Sequence, residues 1–124
     1  MQGKSTGKIL IIDDDSRNIF ALHAVLRTKG YDCVTAGSAE EGLKRLANED
    51  VSIVLLDMMM PDMDGYETIA NIRKGPYAEI PVVSVTAQAM TGDRERSLDA
   101  GADEYISKPI DVDRLLDIIH KYTS

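Results

Sequence analysis

A regular alternation of two hydrophobic patterns constrains this chain more than any other feature. Short apolar runs rich in β-branched residues, typical of buried strands, alternate with longer segments whose apolar residues recur at helical spacing. The predicted strands cover 8–12, 31–36, 51–56, 81–85 and 104–107, and the predicted helices cover 16–29, the segment after Ser38, 66–74, 93–100 and 111–122. No repeat or low-complexity stretch interrupts the pattern, so the sequence predicts five consecutive strand–helix units.

Five strands that alternate with five helices indicate an α/β fold, with a parallel sheet covered by helices on both faces. Units this short suit a doubly wound, flavodoxin-like sheet of strand order 2-1-3-4-5 with right-handed crossovers. A length of 124 residues suits one domain, which we expect at 8–124, after a polar, flexible arm at 1–7. Folds of this class bind ligands beyond the carboxyl ends of their strands, so the site is predicted there.

Local signals predict how several helices begin and end. Gly30 follows the first helix at the position that often adopts a left-handed conformation. Ser38, with a Glu three residues later, forms a capping-box pattern for the second helix, and we expect Leu43, Leu46 and Ala47 to give that helix its apolar stripe. Asp15 is predicted to cap the first helix near its positive dipole end.

The charge balance and the single cysteine exclude several classes of protein. The chain has 14 basic and 21 acidic residues and a formal net charge of −7, which disfavours direct binding to nucleic acid or to an anionic membrane because both are negative. The longest apolar runs are too short to span a bilayer, and no apolar signal segment follows the N-terminus. Cys33 has no second cysteine to pair with, which favours a reducing, cytoplasmic compartment.

Polar residues directly follow four of the five predicted strands. Because the carboxyl ends of parallel strands meet at one edge of a sheet, we expect these side chains to cluster in a shallow pocket. They are Asp13, Asp14 and Asp15 after the first strand, Asp57 after the third, Thr86 after the fourth and Lys108 after the fifth.

These residue types favour the binding of a metal ion and a phosphoryl group. Carboxylates brought together repel one another, so at least one of them takes up a proton or a cation. Mg²⁺ suits such a set, because it is usually held by one or two carboxylates, waters and phosphate oxygens. Lys108 offers a positive charge to a phosphoryl oxygen and Thr86 offers a hydroxyl donor. Asp57 can then act as a nucleophile and form an aspartyl phosphate.

Four motifs carry a resemblance to a known family. KILIIDDD stands at 8–15, VLLDMMMPDMDG at 54–65, VTA at 85–87 and AGADEYISKPI at 100–110. Over nearly its whole length the chain resembles the receiver domain of a two-component response regulator. The stretch at 17–22 resembles the receivers of hybrid histidine kinases, and this favours a domain of such a kinase over a free-standing regulator.

The resemblance implies a role for each residue of the pocket. Asp57 matches the phosphoacceptor, and Asp13 and Asp14 match the acidic pair that holds Mg²⁺ directly or through water. Asp57 itself and the backbone carbonyl of Met59 complete the metal ligands. The peptide bond between Lys108 and the following proline is cis in this family.

The resemblance also implies a set of switch and rate-determining positions. Thr86 and Lys108 match the hydroxyl residue and the lysine that contact the phosphoryl group. Tyr105 matches the aromatic residue that turns inward when the hydroxyl residue moves. Met59 and Gln88 occupy the positions that tune dephosphorylation, and because a Met side chain donates no hydrogen bond to a hydrolytic water, we expect slow autodephosphorylation.

The predicted function is therefore that of a phosphorelay receiver. Asp57 would take a phosphoryl group from the phosphohistidine of a histidine kinase or a histidine phosphotransfer domain, with Mg²⁺ as cofactor. The face formed by the fourth helix, fifth strand and fifth helix would then change its affinity for a downstream effector. Such a domain catalyses its own phosphorylation and dephosphorylation. Two alternatives remain, namely a small Mg²⁺-dependent phosphatase that acts through Asp13 and an unphosphorylated receiver-like docking module.

Overall fold

The structure is a computed structural model, and it describes residues 7–61, 63–86 and 93–123. The strands are β1 (Lys8–Ile12), β2 (Cys33–Ala36), β3 (Val51–Asp57), β4 (Val82–Thr86) and β5 (Glu104–Ser107). The helices are α1 (Ser16–Thr28), α2 (Ala39–Asn48), α3 (Gly65–Lys74), α4 (Asp93–Ala100) and α5 (Val112–Thr123). Among the described residues, no helix combines the length and the apolar character needed to cross a membrane. The predicted arm at 1–7, apart from Gly7, lies outside the described residues, as does Gln88.

The described strands form one parallel sheet in the order β2-β1-β3-β4-β5. This order confirms the predicted doubly wound arrangement. β1 and β3 lie side by side in the middle of the sheet, and residues 9–12 of β1 are at most 1% exposed. The edge between the two central strands is where the sequence predicts the site.

Helices cover both faces of the sheet and produce two separate apolar cores. Because successive residues of a strand point to opposite faces, β1 and β3 supply side chains to both cores. α1 and α5 pack on one face, and α2 and α3 pack on the other. The first core includes Ile9, Ile11, Leu26, Ile53, Leu55, Leu115 and Ile119. The second includes Leu10, Ile12, Leu46, Val54, Leu56, Ile69 and Ile72.

The second strand starts later than predicted, at Cys33 instead of residue 31. Gly30 has a φ of +89°, as expected for the predicted left-handed position. The amide of Gly30 donates to the carbonyl of Arg27, and the amide of Tyr31 donates to the carbonyl of Leu26, both at 3.0 Å. Tyr31 therefore closes α1 in a Schellman arrangement and is not available to the sheet.

Two of the predicted site residues belong to strands and do not merely follow them. β3 ends at Asp57 and β4 ends at Thr86, each one residue later than predicted. Asp57 lies opposite Val85 in the β3–β4 ladder. The ladder therefore fixes the backbone of the acidic residue. β4 begins at Val82 because Pro81 has no amide to donate, although its carbonyl accepts from Val54 at 2.9 Å.

α2 begins as predicted but faces the sheet differently. The hydroxyl of Ser38 accepts from the amide of Glu41 at 3.1 Å, and the Glu41 carboxylate accepts from Gly37 at 2.8 Å. The prediction that Ala47 faces the core is wrong, since Ala47 is exposed. Leu43 packs against the second core and Leu46 is buried, as predicted, and the buried positions of the helix are Gly42 and Leu46, one helical turn apart. A Cβ atom on Gly42 would lie 2.4 Å from the Cδ1 atom of Ile12, so the helix approaches β1 closely at this point.

Candidate functional site

Three carboxylates meet where the two central strands end. Asp13 and Asp14 follow β1, and Asp57 is the last residue of β3. Because Ile12 and Leu56 are paired in the sheet, the residues after them emerge together. One oxygen from each of the three carboxylates lies within 4.8 Å of the others. Asp13 is 2% exposed and Asp57 5%, whereas Asp14 faces solvent.

Backbone amides orient the two buried carboxylates. The Oδ1 atom of Asp13 accepts from the amide of Asp15 at 2.9 Å. The Oδ1 atom of Asp57 accepts from the amide of Met59 at the same distance. Each is an Asx turn, in which an Asp side chain binds the backbone two residues further along. The chain leaving each strand therefore holds its own carboxylate in place.

Lys108 brings the one positive charge of the described pocket close to both buried acids. Its Nζ atom lies 3.5 Å from Oδ2 of Asp57 and 3.8 Å from Oδ2 of Asp13. The amide of Lys108 donates to the carbonyl of Thr86 at 2.6 Å, which ties the loop after β5 to the end of β4. The peptide bond between Lys108 and Pro109 is cis, as the resemblance implies.

The environment of Asp57 makes its proton affinity unusual. Burial raises the pKa of Asp57 above its ordinary value of 3.8, and the neighbouring Asp13 raises it further. The hydrogen bond from the Met59 amide and the charge of Lys108 act in the opposite direction. Burial has the largest effect on the pKa of Asp57. A cation placed between the carboxylates would favour their charged forms and so counteract this effect.

The donor set fits Mg²⁺. Three hard carboxylate oxygens converge from Asp13, Asp14 and Asp57, and Mg²⁺ prefers oxygen ligands while keeping several waters. Asp14 is open to solvent, which leaves room for those waters. The backbone N–H of Met59 donates a hydrogen bond to Asp57, which places Met59 beside the cluster, and its side chain is 47% exposed.

The predicted switch residues lie on the β4–β5 ladder next to the acidic cluster. Thr86 is 4% exposed and pairs with Ser107. Tyr105 is half-buried and pairs with Ser84 two positions earlier. The structure thus connects the two positions through one strand pair. Gln88 lies outside the described residues, so its predicted role is carried only by the resemblance.

Asp15 caps α1, as the sequence predicts. Its carboxylate accepts from the amides of Arg17 at 3.0 Å and Asn18 at 3.4 Å. Asp15 therefore belongs to the helix end, and it is not in the group of three carboxylates that converge.

Sequence reasoning missed Asn18. Its Nδ2 atom donates to Oδ2 of Asp13 at 2.5 Å. The signal available in the sequence was an amide side chain in the first turn of a helix that directly follows the acids. An Asn at this point usually satisfies the helix end or faces solvent, so position alone did not single it out.

The family model described as "Response regulator receiver domain" matches residues 9–120 of the chain. The heme response regulator HssR of Staphylococcus aureus is 38% identical over 107 residues, covering 86% of this chain and 47% of the relative. The hybrid signal transduction histidine kinase G of Dictyostelium discoideum is 35% identical over 93% of this chain and 4% of the relative. The chain therefore spans less than half the length of both curated relatives.

A solved structure gives the same fold. The receiver domain protein (CheY-like) of Methanospirillum hungatei superimposes with a TM-score of 0.85 at 35% identity, covering 94% of this chain and 93% of that one. A response regulator receiver protein from Pseudomonas putida superimposes with a TM-score of 0.88 at 25% identity, covering 94% and 98% of the two chains.

Proposed function

Because the chain belongs to the response regulator receiver domain family of two-component signalling, we propose that it is a phosphorelay receiver whose Asp57 accepts a phosphoryl group from a phosphohistidine. One observation carries the proposal. Three carboxylates present oxygens within 4.8 Å of one another, and the ammonium of Lys108 lies 3.5 Å from the acid that would react. An acidic cluster with an adjacent ammonium group suits a metal-dependent transfer of an anionic group.

In the proposed reaction a carboxylate oxygen of Asp57 attacks the phosphorus atom. A new O–P bond forms, the P–N bond of the phosphohistidine breaks, and the imidazole nitrogen leaves with the electron pair. The Met59 amide holds the other oxygen and fixes the direction of attack. Lys108 already faces Asp57, and it can follow the new negative charge onto a phosphoryl oxygen.

Asp13, Asp14 and Asp57 would hold Mg²⁺ in this proposal, with the backbone carbonyl of Met59 as a further ligand. Bound Mg²⁺ supplies charge neutralisation for the phosphoryl oxygens. The side chains contribute what the metal cannot. Asp13 keeps its orientation through the Asp15 amide, and the low exposure of Asp13 and Asp57 limits competition from bulk water.

The proposed output begins at Thr86. Its hydroxyl would move towards the phosphoryl group, and Tyr105 on the paired strand would turn inward. The face made by α4, β5 and α5 would then bind a downstream effector differently. Met59 offers a thioether in place of a hydrogen-bond donor, and with Gln88 it would make autodephosphorylation slow.

The proposed partners are a histidine kinase or a histidine phosphotransfer domain, in the cytoplasm, with no direct role for nucleic acid or membrane. One of the relatives is itself a hybrid histidine kinase, which supports a partner of this class.

Phosphorylation by a small donor tests the proposal directly. Incubation with acetyl phosphate or phosphoramidate and Mg²⁺ should add one phosphate, detected by intact-protein mass spectrometry. The adduct should be lost in Asp57→Asn and kept in Asp117→Asn, which neutralises an exposed acid on α5. Failure of the wild-type chain to gain a phosphate would overturn the proposal.

The same samples separate the two alternatives. A phosphatase that acts through Asp13 should turn over a phosphate ester repeatedly and survive Asp57→Asn. A docking module that is never phosphorylated should show no Mg²⁺-dependent change in tyrosine fluorescence, which is a usable signal since the chain has no Trp.

A further inference from the structure

We propose that Asn18 is a positioning residue that holds the carboxylate of Asp13 in the orientation Mg²⁺ requires and thereby favours Mg²⁺ over larger divalent ions. This inference rests on the proposed function, because it assumes that the acidic cluster binds Mg²⁺. It starts from the contact between the Nδ2 atom of Asn18 and Oδ2 of Asp13. That contact joins the first turn of α1 to the most deeply buried acid of the cluster.

Both oxygens of Asp13 are engaged by the chain that follows it. Oδ1 accepts from the amide of Asp15 at 2.9 Å, and Oδ2 accepts from Asn18. Lys108 lies 3.8 Å from the same Oδ2 atom. Two donors on opposite ends of a carboxylate prevent it from rotating, so Asp13 has one available orientation.

The side-chain amide of Asn18, which is the donor, is held in a fixed position. Only the NH₂ group of an Asn side chain donates, so a carboxylate partner fixes which way the amide points. The backbone amide of Asn18 is bound to the capping carboxylate of Asp15. One turn further along α1, Leu22 is buried in the core. The helix therefore cannot shift Asn18 away from Asp13 without breaking its cap or its packing.

A carboxylate held in this way suits one kind of ion. Each oxygen of Asp13 already receives an N–H group, so each has one lone pair left for a metal. Mg²⁺ requires near-octahedral geometry and short bonds, and it takes one oxygen from each carboxylate. Ca²⁺ takes more ligands, at longer distances, and often both oxygens of one carboxylate. Fixing Asp13 should therefore help Mg²⁺ more than Ca²⁺.

Metal titration of two matched variants tests this inference. Asn18→Ala removes the amide donor but keeps the backbone N–H that Asp15 caps, and Ala favours the helix. Asn48→Ala is the control, because Asn48 is exposed and its side chain donates to the carbonyl of Lys44 within its own helix. MgCl₂ and CaCl₂ are titrated separately into each protein, with binding followed by calorimetry and by the amide resonance of Asp15.

The expected result is a loss of Mg²⁺ affinity of roughly tenfold in Asn18→Ala, the size typical for a residue that orients a metal ligand. Ca²⁺ affinity should fall by a smaller factor, and Asn48→Ala should match the wild type for both ions. An unchanged Mg²⁺ affinity in Asn18→Ala would overturn the inference. Equal losses for the two ions would also overturn it, because they would indicate general damage to the pocket.

The titration also separates this inference from the proposed function. Wild-type protein that binds no Mg²⁺ would overturn both. A different result would overturn the role of Asn18 alone. In that case the wild-type protein binds Mg²⁺ and takes up a phosphate, and the Asn18→Ala variant has the same metal affinity and selectivity.

Discussion

Cys33 begins β2, and burial raises the pKa of its thiol to about 11, with the negative charge of Asp32 acting in the same direction. The thiolate is the reactive form. At about pH 8 the folded chain should therefore react with iodoacetamide roughly a hundredfold more slowly than the urea-unfolded chain, and the rate should rise as the pH approaches the raised pKa. Mass spectrometry of timed samples measures both rates. Equal rates for folded and unfolded protein at this pH would contradict the prediction.

The neighbours of a residue also set its role in the acidic cluster. Asp13, Asp14 and Asp15 are consecutive and chemically identical, yet the structure gives them three different environments. Asp13 is buried between two donors, Asp14 faces solvent, and Asp15 caps a helix. Identity in sequence therefore does not determine which of the three acids has freedom to move.

Within α2, the close approach at Gly42 sets how the helix lies on the sheet. Gly42→Ala would gain about 1 kcal/mol of helix propensity, but its Cβ would lie 2.4 Å from the Cδ1 atom of Ile12, which is fully buried. Overpacking of this kind costs about 1–3 kcal/mol. We expect a net destabilisation of about 1 kcal/mol in urea unfolding.

A second substitution shows whether that contact is the cause. Ile12→Val removes the Cδ1 atom that the new Cβ would meet, and alone it should cost about 1 kcal/mol. The double variant should lose less stability than the sum of the two single variants, since the missing Cδ1 atom makes room for the new Cβ atom. Simple additivity would show that the clash does not explain the effect.

Arg73 joins α3 to the turns that follow α3 and α4. Its guanidinium donates to the carbonyl of Gly101 at 2.9 and 2.6 Å, to the carbonyl of Ala78 at 2.9 Å, and to Asp103 at 2.9 Å. A Lys has one ammonium on a flexible stem and cannot reach these acceptors together. Arg73→Lys should therefore lower the free energy of unfolding by about 2 kcal/mol.

The control for Arg73 is an arginine whose ion pairs lie near the surface. Arg45 lies on α2 and forms ion pairs with Glu41 and Glu49 at 3.9 and 3.5 Å. Surface pairs of this kind contribute less than about 1 kcal/mol, so Arg45→Lys should change little. Similar losses in the two variants would show that charge, and not the fork of donors, stabilises the turns.

The positions of the elements explain which features of the site could be predicted. Asp57 is the last residue of one apolar strand, and Lys108 directly follows another. Because parallel strands end at one edge of the sheet, the local sequence pattern is enough to predict that these two residues lie close together. The local sequence does not determine the rotation of a helix about its axis. The inward position of Gly42, the outward position of Ala47 and the reach of Asn18 all depend on that rotation, which is set by packing against distant strands.

At the scale of the whole molecule, the net charge of −7 reflects a local feature of the fold. Six of the acidic residues fall within two short stretches of the sequence, 13–15 and 57–64. Without these six, the chain would have 15 acidic and 14 basic residues instead of 21 and 14. These six are Asp13, Asp14, Asp15, Asp57, Asp62 and Asp64. The remainder of the chain is therefore close to neutral.

Folding should be linked to Mg²⁺ because the acidic cluster exists only in the folded domain. At a hundredfold excess over its dissociation constant, Mg²⁺ should raise the free energy of unfolding by about 3 kcal/mol. NaCl at equal ionic strength should give a much smaller increase, since it only screens repulsion. Thermal unfolding of the wild type and of Asp13→Asn measures this, and a variant that gains as much as the wild type would contradict the linkage.

The sheet order also determines the timescale on which different parts of the backbone exchange their amide hydrogens with water. β1 and β3 are flanked by strands on both sides, so their amides open to deuterium only when the whole sheet comes apart. Asp57 is the last residue of one of these strands, while β5 lies at the edge. The proposed phosphoacceptor would thus lie on backbone that exchanges slowly. The proposed output face includes β5, whose backbone would exchange more readily.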